Sequence, residues 1–374
     1  MLKGERLDKP TYTVLQTMTD SGNTAICHKA FHDIFKQVVV QKTVSLLGLD
    51  DALAYSEPHL LKELKHKHLI DVWEAQWEPD PKWQPIKAVT FVMPYYEGGS
   101  VMNALLDGHR FSVGEAVGIA CGLLDALHYL HVDKGLLHRD VKPANVMLDA
   151  VRRHPYLGDL GSAALMDADG TANVRSGTLL YQPPESHLGR YTPQGDLYSV
   201  GMVLLECLNG AFPYADLDRD KVGARLARGQ PSVAARLLKP GPHVPPAVAR
   251  LVARLVDRDP VRRPATALKA QRELHRALHL DWRERDDAEG RVWDGRWPPA
   301  SRPGGGRAYE VRSARIVQGR YAGEVLLTAR WRRTGAVDWR RFRSLERRAA
   351  PGDDAALGAF FRSVEAEAQR SAAA

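Results

Sequence analysis

Asp140, Lys142 and Asn145 stand within one short run, His138-Arg-Asp-Val-Lys-Pro-Ala-Asn145, and fourteen residues past Asn145 a further acid opens Asp159-Leu-Gly161. A loop with Asp, Lys and Asn at this spacing can set a carboxylate beside an acceptor hydroxyl, an ammonium beside a moving phosphoryl group and a carboxamide on a metal ion. Those are the requirements of phosphoryl transfer. Any one of these residues alone in a loop reads as a turn former; the chemistry comes from the combination.

Two kinds of element must position such a loop. From Tyr12 to Lys42 apolar residues alternate in runs broken by the turn-rich Thr19-Asp-Ser-Gly-Asn-Thr24, which reads as antiparallel strands, and Ile70–Trp77 and Ala88–Pro94 add two more. Leu60, Leu61, Leu64 and Leu69 have helical spacing. After Gly98-Gly99 the pattern turns helical, with Val117, Ala120, Leu124, Leu127 and Leu130 on one stripe and similar runs at 200–208 and 248–256. The expectation is a small β-rich lobe followed by a larger α-rich one.

The quoted runs resemble the eukaryotic-type (Hanks-type) serine/threonine protein kinase family. His138–Asn145 matches its H-R-D-x-K-x-x-N catalytic loop, and Asp159-Leu-Gly161 matches D-F-G with Leu for Phe. Gly177-Thr-Leu-Leu-Tyr-Gln-Pro-Pro-Glu185 is similar to G-T-x-x-Y-x-A-P-E with Pro for Ala, Asp196-Leu-Tyr-Ser-Val-Gly201 to D-x-W/Y-S-x-G, and Asp259-Pro-Val-Arg-Arg-Pro264 to the d-P-x-x-R-P element. The resemblance covers about residues 12–280 and implies an α+β, bilobal protein-kinase-like fold with lobes over 12–96 and 97–280. It implies that Asp140 orients the acceptor hydroxyl, Lys142 sits by the γ-phosphate, Asn145 and Asp159 hold Mg²⁺, and Arg263 pairs with Glu185. Lys142 with Thr178 favours Ser/Thr acceptors. Thr171 and Ser176 lie where the family carries activating phosphate, with Arg139 as its receiver.

In the small lobe the match is looser. Lys42 ends Val38-Val-Val-Gln-Lys42, where strand alternation groups it with Val38 and Val40, as the family's ATP-binding lysine requires. Glu57 fits the helical glutamate that pairs with it, although Pro58 restricts that position to a first turn or a kink. Of the three glycines expected in the phosphate-covering loop only Gly22 is present, with Asp20 and Ala25 at the others. Phe91-Val-Met-Pro-Tyr-Tyr-Glu97 resembles the adenine-receiving hinge, with Met93 behind the pocket and the backbone of Pro94 and Tyr96 as bonding partners. The resemblance thus implies ATP and Mg²⁺ as cofactors and side chains from Lys42 to Asp159 converging in a cleft between lobes.

Residues 281–374 contain no Lys, 19 Arg against 14 Asp plus Glu, and five of the eight Trp. The Pro298-Pro299 and Gly304-Gly305-Gly306 stretches mark 281–307 as a linker. Beyond it, 308–317 and 323–333 read as strands and 353–370 as a helix, a small C-terminal α+β module that would engage a partner protein. Its interleaved Arg and Trp also suit nucleic acid, but an aromatic core under a charged outer face is the preferred reading. The net charge of +7 alone says little about partners. Three scattered cysteines give no disulfide framework, the apolar run 116–131 is broken by Asp125 and His128, and the N-terminus has no apolar leader. A cytoplasmic protein that does not enter a membrane is expected. The function implied is transfer of the γ-phosphoryl of ATP to Ser/Thr hydroxyls of protein substrates, regulated through the activation segment. The rivals are a pseudokinase scaffold with weak ATP binding, motivated by the eroded glycine loop, and a small-molecule kinase of the same architecture.

Overall fold

The computed structural model describes residues 11–18, 25–45, 63–77, 88–174, 177–277, 280–288, 290–297 and 306–373. The chain divides into two compact units, residues 1–97 with 156–161, and residues 98–155 with 162–374.

The smaller unit is built on an antiparallel five-stranded sheet of β1 (Tyr12–Met18), β2 (Ala25–His32), β3 (Gln37–Ser45), β4 (Glu74–Trp77) and β5 (Ala88–Pro94), in the order β1-β2-β3-β5-β4. β-Branched and apolar residues dominate β3 and β5, as strands with covered faces require. Ala30, Val39 and Val92 form one buried cluster, and Val72, Val89 and Phe91 form another with Val44 and Met93 packed against it. Thr43 and Thr90, paired in register, satisfy each other by a 2.7 Å hydroxyl bond in the interior. Residues 156–161 return to this unit. The N–H of Ile70 donates to the Leu157 carbonyl, the N–H of Leu157 to the His68 carbonyl, and the Tyr96 ring lies 4.4 Å from that of Tyr156.

The larger unit opens with α1 (Val101–Leu106) and α2 (Val113–His128). Ser112 starts α2 with a capping box: its hydroxyl accepts from the Glu115 N–H, and the Glu115 carboxylate accepts from the Ser112 N–H. With the π turn that follows, Val113–Asp133 is long and apolar enough to cross a bilayer, yet 67% of its most apolar window is buried inside the fold. It is the central core helix against which later helices pack. Short strands β6 (Leu136–Leu137), β7 (Val146–Leu148), β8 (Pro155–Leu157, which runs into the segment 156–161 of the smaller unit), β9 (Ala164–Leu165), β10 (Ala172–Asn173) and β11 (Arg190–Tyr191) follow, with β6 paired to β9 and β10 to β11. Then come α3 (Pro193–Asn209), nearly all buried, α4 (Arg219–Leu226), α5 (Pro246–Leu255) and α6 (Ala267–Arg276). Pro opens α3 and α5, where its missing N–H costs nothing.

The expected linker over 281–307 is corrected by two strands, β12 (Asp281–Asp287) and β13 (Gly290–Trp297), which form a hairpin. They continue into β14 (Arg307–Arg315), β15 (Val325–Arg333), β16 (Arg340–Arg341) and β17 (Arg347–Ala349), one antiparallel sheet in which β16 and β17 both pair with β15. Register sets Trp282 and Trp293 on one face of the hairpin, but β12 is otherwise charged and Val292 beside Trp293 is buried as well, so neither strand shows a simple apolar–polar alternation. The helix α7 (Asp354–Ala373) lays Phe361 edge-on to Trp282 and Trp293, at 5.1 and 5.2 Å. An aromatic core under a charged outer face is therefore what this region contains.

The sheet is joined to the rest of the larger unit. The Asp281 carboxylate accepts from the Gly114 N–H at 2.7 Å, satisfying one of the free donors at the start of α2, and Arg283 pairs with Glu115 at 2.5 Å. His243, buried ahead of α5, lies against Trp293 and Phe361.

Candidate active site

In the larger unit, the loop after β6 is fixed from beneath. Asp196, on α3 and fully buried, accepts from the backbone N–H groups of His138 and Arg139 at 2.9 and 2.8 Å, from His131 Nε2 at 2.8 Å and from the Tyr191 hydroxyl at 3.3 Å. Burial alone would raise its pKa, but the bonds from His131 and the His138 N–H outweigh it and hold the carboxyl below its ordinary range. Among the described residues no three or more His, Cys, Asp or Glu side chains gather as the ligands of a metal ion.

On this base Asp140, Lys142 and Asn145 come together. A 3₁₀ turn over Pro143–Asn145 brings the Asn145 side chain back, so that Nδ2 donates to the Asp140 carbonyl at 2.8 Å and to Asp140 Oδ2 at 3.1 Å. Lys142 Nζ meets Asp140 Oδ2 at 2.8 Å and donates to Thr178 Oγ1 at 2.8 Å, while the Thr178 N–H donates to Asp140 Oδ1 at 2.8 Å. The activation segment thereby closes onto the loop. Gly177 makes this approach with φ +120°, and a Cβ there would lie 2.7 Å from the Arg139 carbonyl. Farther along, buried Arg263 grips Glu185 with both terminal guanidinium nitrogens, at 2.6 and 2.7 Å, as the sequence suggested. Arg263 also donates to the Asp257 and Gln194 carbonyls.

In the smaller unit, Lys42 reaches Asp159 Oδ1 at 2.9 Å. Strand alternation puts Lys42 on one face of β3 with Val40 and Val44, while the buried Val39 and Thr43 lie on the other. Asp159 adopts φ +61°, and Gly158 before it lies so close to Ile70 that a Cβ would meet Cδ1 at 2.2 Å. Pro94 and Tyr96 border a cavity of about 410 Å³ together with Leu69, Trp73 and Tyr156, but neither Lys42 nor Asp159 lines it. Gly22, Glu57 and Ser176 fall outside the described residues.

A family model described as protein kinase domain matches residues 13–279. The chain belongs to that family. As members of the same family, the relatives of this kinase domain include the human serine/threonine-protein kinase STK11, 26% identical over 74% of this chain and 61% of the relative. Serine/threonine-protein kinase ULK3 of Xenopus laevis is 28% identical over 67% and 52%, and a mitogen-activated protein kinase kinase, SIPKK of Nicotiana tabacum, 35% identical over 36% and 38%. The chain thus spans about two-fifths to three-fifths of the length of these relatives.

Three residues matter here that sequence reasoning left without a role or placed otherwise. Asp196 was part of a motif, yet its work as anchor of the loop needs the fold to see it. Arg139, expected to receive a phosphate, instead donates to the carbonyls of Ser162, Ala163 and Asn173, with a positive φ of 64°. Arg190 is the guanidinium beside Thr171: it contacts the Thr171 hydroxyl and pairs with Asp169 at 2.6 Å.

Proposed function

We propose that this kinase domain is an active serine/threonine protein kinase that transfers the γ-phosphoryl group of ATP to hydroxyls of protein substrates. The observation that carries the reading is the closed set Asp140, Lys142, Asn145 and Thr178. Asp140, with its carboxylate fixed by Asn145 and the Thr178 N–H, is the group to orient and deprotonate an acceptor hydroxyl. Lys142, between Asp140 and Thr178, is the cation for the moving phosphoryl group. In the other unit Lys42, steadied by Asp159, is the cation for the α- and β-phosphates. In that same smaller unit Pro94 and Tyr96 would offer backbone atoms to adenine.

The residues suit Mg²⁺, which binds through one or two protein oxygens plus phosphates rather than an all-protein cage. Asn145 commits its Nδ2 to Asp140, leaving Oδ1 for such an ion, and in the smaller unit the Asp159 carboxylate is likewise an oxygen donor of the kind Mg²⁺ takes. The ion would supply neutralisation of phosphate charge.

Regulation through the activation segment belongs to the same reading: a phosphate on Thr171 would meet Arg190 and be repelled by Asp169, so it would redraw this corner. A cytoplasmic location follows the sequence expectation. The test is incubation of the purified chain with Mg²⁺, labelled ATP and a protein acceptor. Label on Ser or Thr is expected, and its loss in both Asp140→Asn and Lys42→Met. ATP binding with no transfer would make the chain a scaffold instead.

A further inference from the structure

The C-terminal sheet carries a concentration of charge that kinase chemistry does not use. Between residues 306 and 350 there are twelve Arg and four Asp or Glu, whereas the whole chain has a net charge of only +7. Part of this charge is neutralised on the sheet: Glu310 pairs with Arg285 and Arg330, and Asp287 with Arg285 and Arg312. Six of the remaining arginines lie at or beside the β16–β17 edge. Arg333, Arg340, Arg341, Arg343, Arg347 and Arg348 are all exposed, and among the described residues none lies within salt-bridge distance of a carboxylate.

Register distributes these groups around the edge. Arg341 lies opposite Arg330 and Arg348 opposite Leu326, on one face; Arg340 lies opposite Trp331 and Arg347 opposite Leu327, on the other. Aromatic rings hold the guanidinium groups. Trp339 lies under Arg330 and Arg332 at 4.7 and 4.6 Å, Trp331 under Arg307 and Arg340 at 4.9 and 5.4 Å, and Tyr321 under Arg348. A stacked guanidinium keeps its N–H edge free for a phosphate.

We infer that this edge is a binding surface for single-stranded nucleic acid. The unpaired guanidinium groups would take the phosphates, and bases would stack on the arginine–aromatic columns that Trp339, Trp331 and Tyr321 build. An acidic polypeptide would use the cations but leave the rings idle, which decides between the two. The edge is one strand wide, with β16 two and β17 three residues long, which suits a single strand better than a duplex.

The test is fluorescence anisotropy of the full chain with a labelled oligothymidylate of about twenty nucleotides, over about 50 to 300 mM NaCl. Binding is expected that weakens steeply with salt. Arg341→Ala/Arg343→Ala/Arg348→Ala should flatten the salt dependence by about 0.7 in log–log slope for each phosphate that no longer meets a guanidinium. Trp339→Ala should weaken binding about fivefold or more with the slope retained. Melting temperatures check that the variants fold, and Arg341→Ala alone, at an exposed side chain, serves if the triple variant does not. Asp140→Asn should bind as the natural chain does, so failure of the kinase reading leaves this one standing. The inference is overturned by absence of salt-sensitive binding, by unchanged binding in the arginine variants, by loss of binding in Asp140→Asn, or by equal competition from polyglutamate or phosphatidylserine vesicles.

Discussion

Asp140 spends both carboxylate oxygens on neighbours: Oδ1 accepts from the Thr178 N–H, and Oδ2 meets Asn145 and Lys142. Removing the Lys142 partner hydroxyl by Thr178→Ala should lower kcat more than KM, and Thr178→Ser should restore most of it; steady-state kinetics with a peptide acceptor would separate the two. Arg263 is a structural counterpart. Arg263→Ala strands the Glu185 carboxylate and should cost about 3–5 kcal/mol in chemical denaturation, while Arg263→Lys, lacking the fork, should recover only part. The residues proposed for the chemistry were legible because their types and spacing follow from what a phosphoryl group needs. Arg139 and Arg190 were not, because which guanidinium stands beside Thr171 depends on β10 pairing with β11, a pairing of two-residue strands with no periodicity to read.

At the scale of elements, α7 and the ends of the C-terminal sheet enclose two groups whose titrations oppose each other. Burial lowers His243 from 6.5 to about 4, so it stays neutral; stability from it is complete above pH 6.5 and is lost as pH falls toward 4. Burial raises Glu365 from 4.5 to about 7, so its contribution is complete below pH 4.5 and is lost as pH rises through 7. Glu365→Gln should therefore gain on the order of 3 kcal/mol relative to the natural chain at pH 8 and little near pH 4.5, as thermal melts across pH would read. Helices α2, α3 and α5 were visible in the sequence through their 3.6-residue stripes. Strands β12 and β13 were hidden because Trp282 is the one apolar residue of β12 and the adjacent Val292 and Trp293 of β13 are both buried, so neither has a period of two to read, and the stretch just after them is rich in Pro and Gly.

For the molecule as a whole, the family match ends at residue 279, yet the larger unit does not. Asp281 and Arg283 serve the first turn of α2, and Trp293 and Phe361 cover His243. A chain ending at 280 should melt at least several degrees below the full chain by differential scanning fluorimetry, because it uncovers the surface these rings pack on and frees the Gly114 N–H. The same dependence on distant support holds at the catalytic loop. Asp196 grips main-chain N–H groups, so the loop owes its place to a carboxylate more than fifty residues later and not to the letters His138 and Arg139. A search that recognised only those letters would accept chains unable to hold them in shape, and an acid at the equivalent of Asp196 is the cheapest criterion for separating working loops from lookalikes.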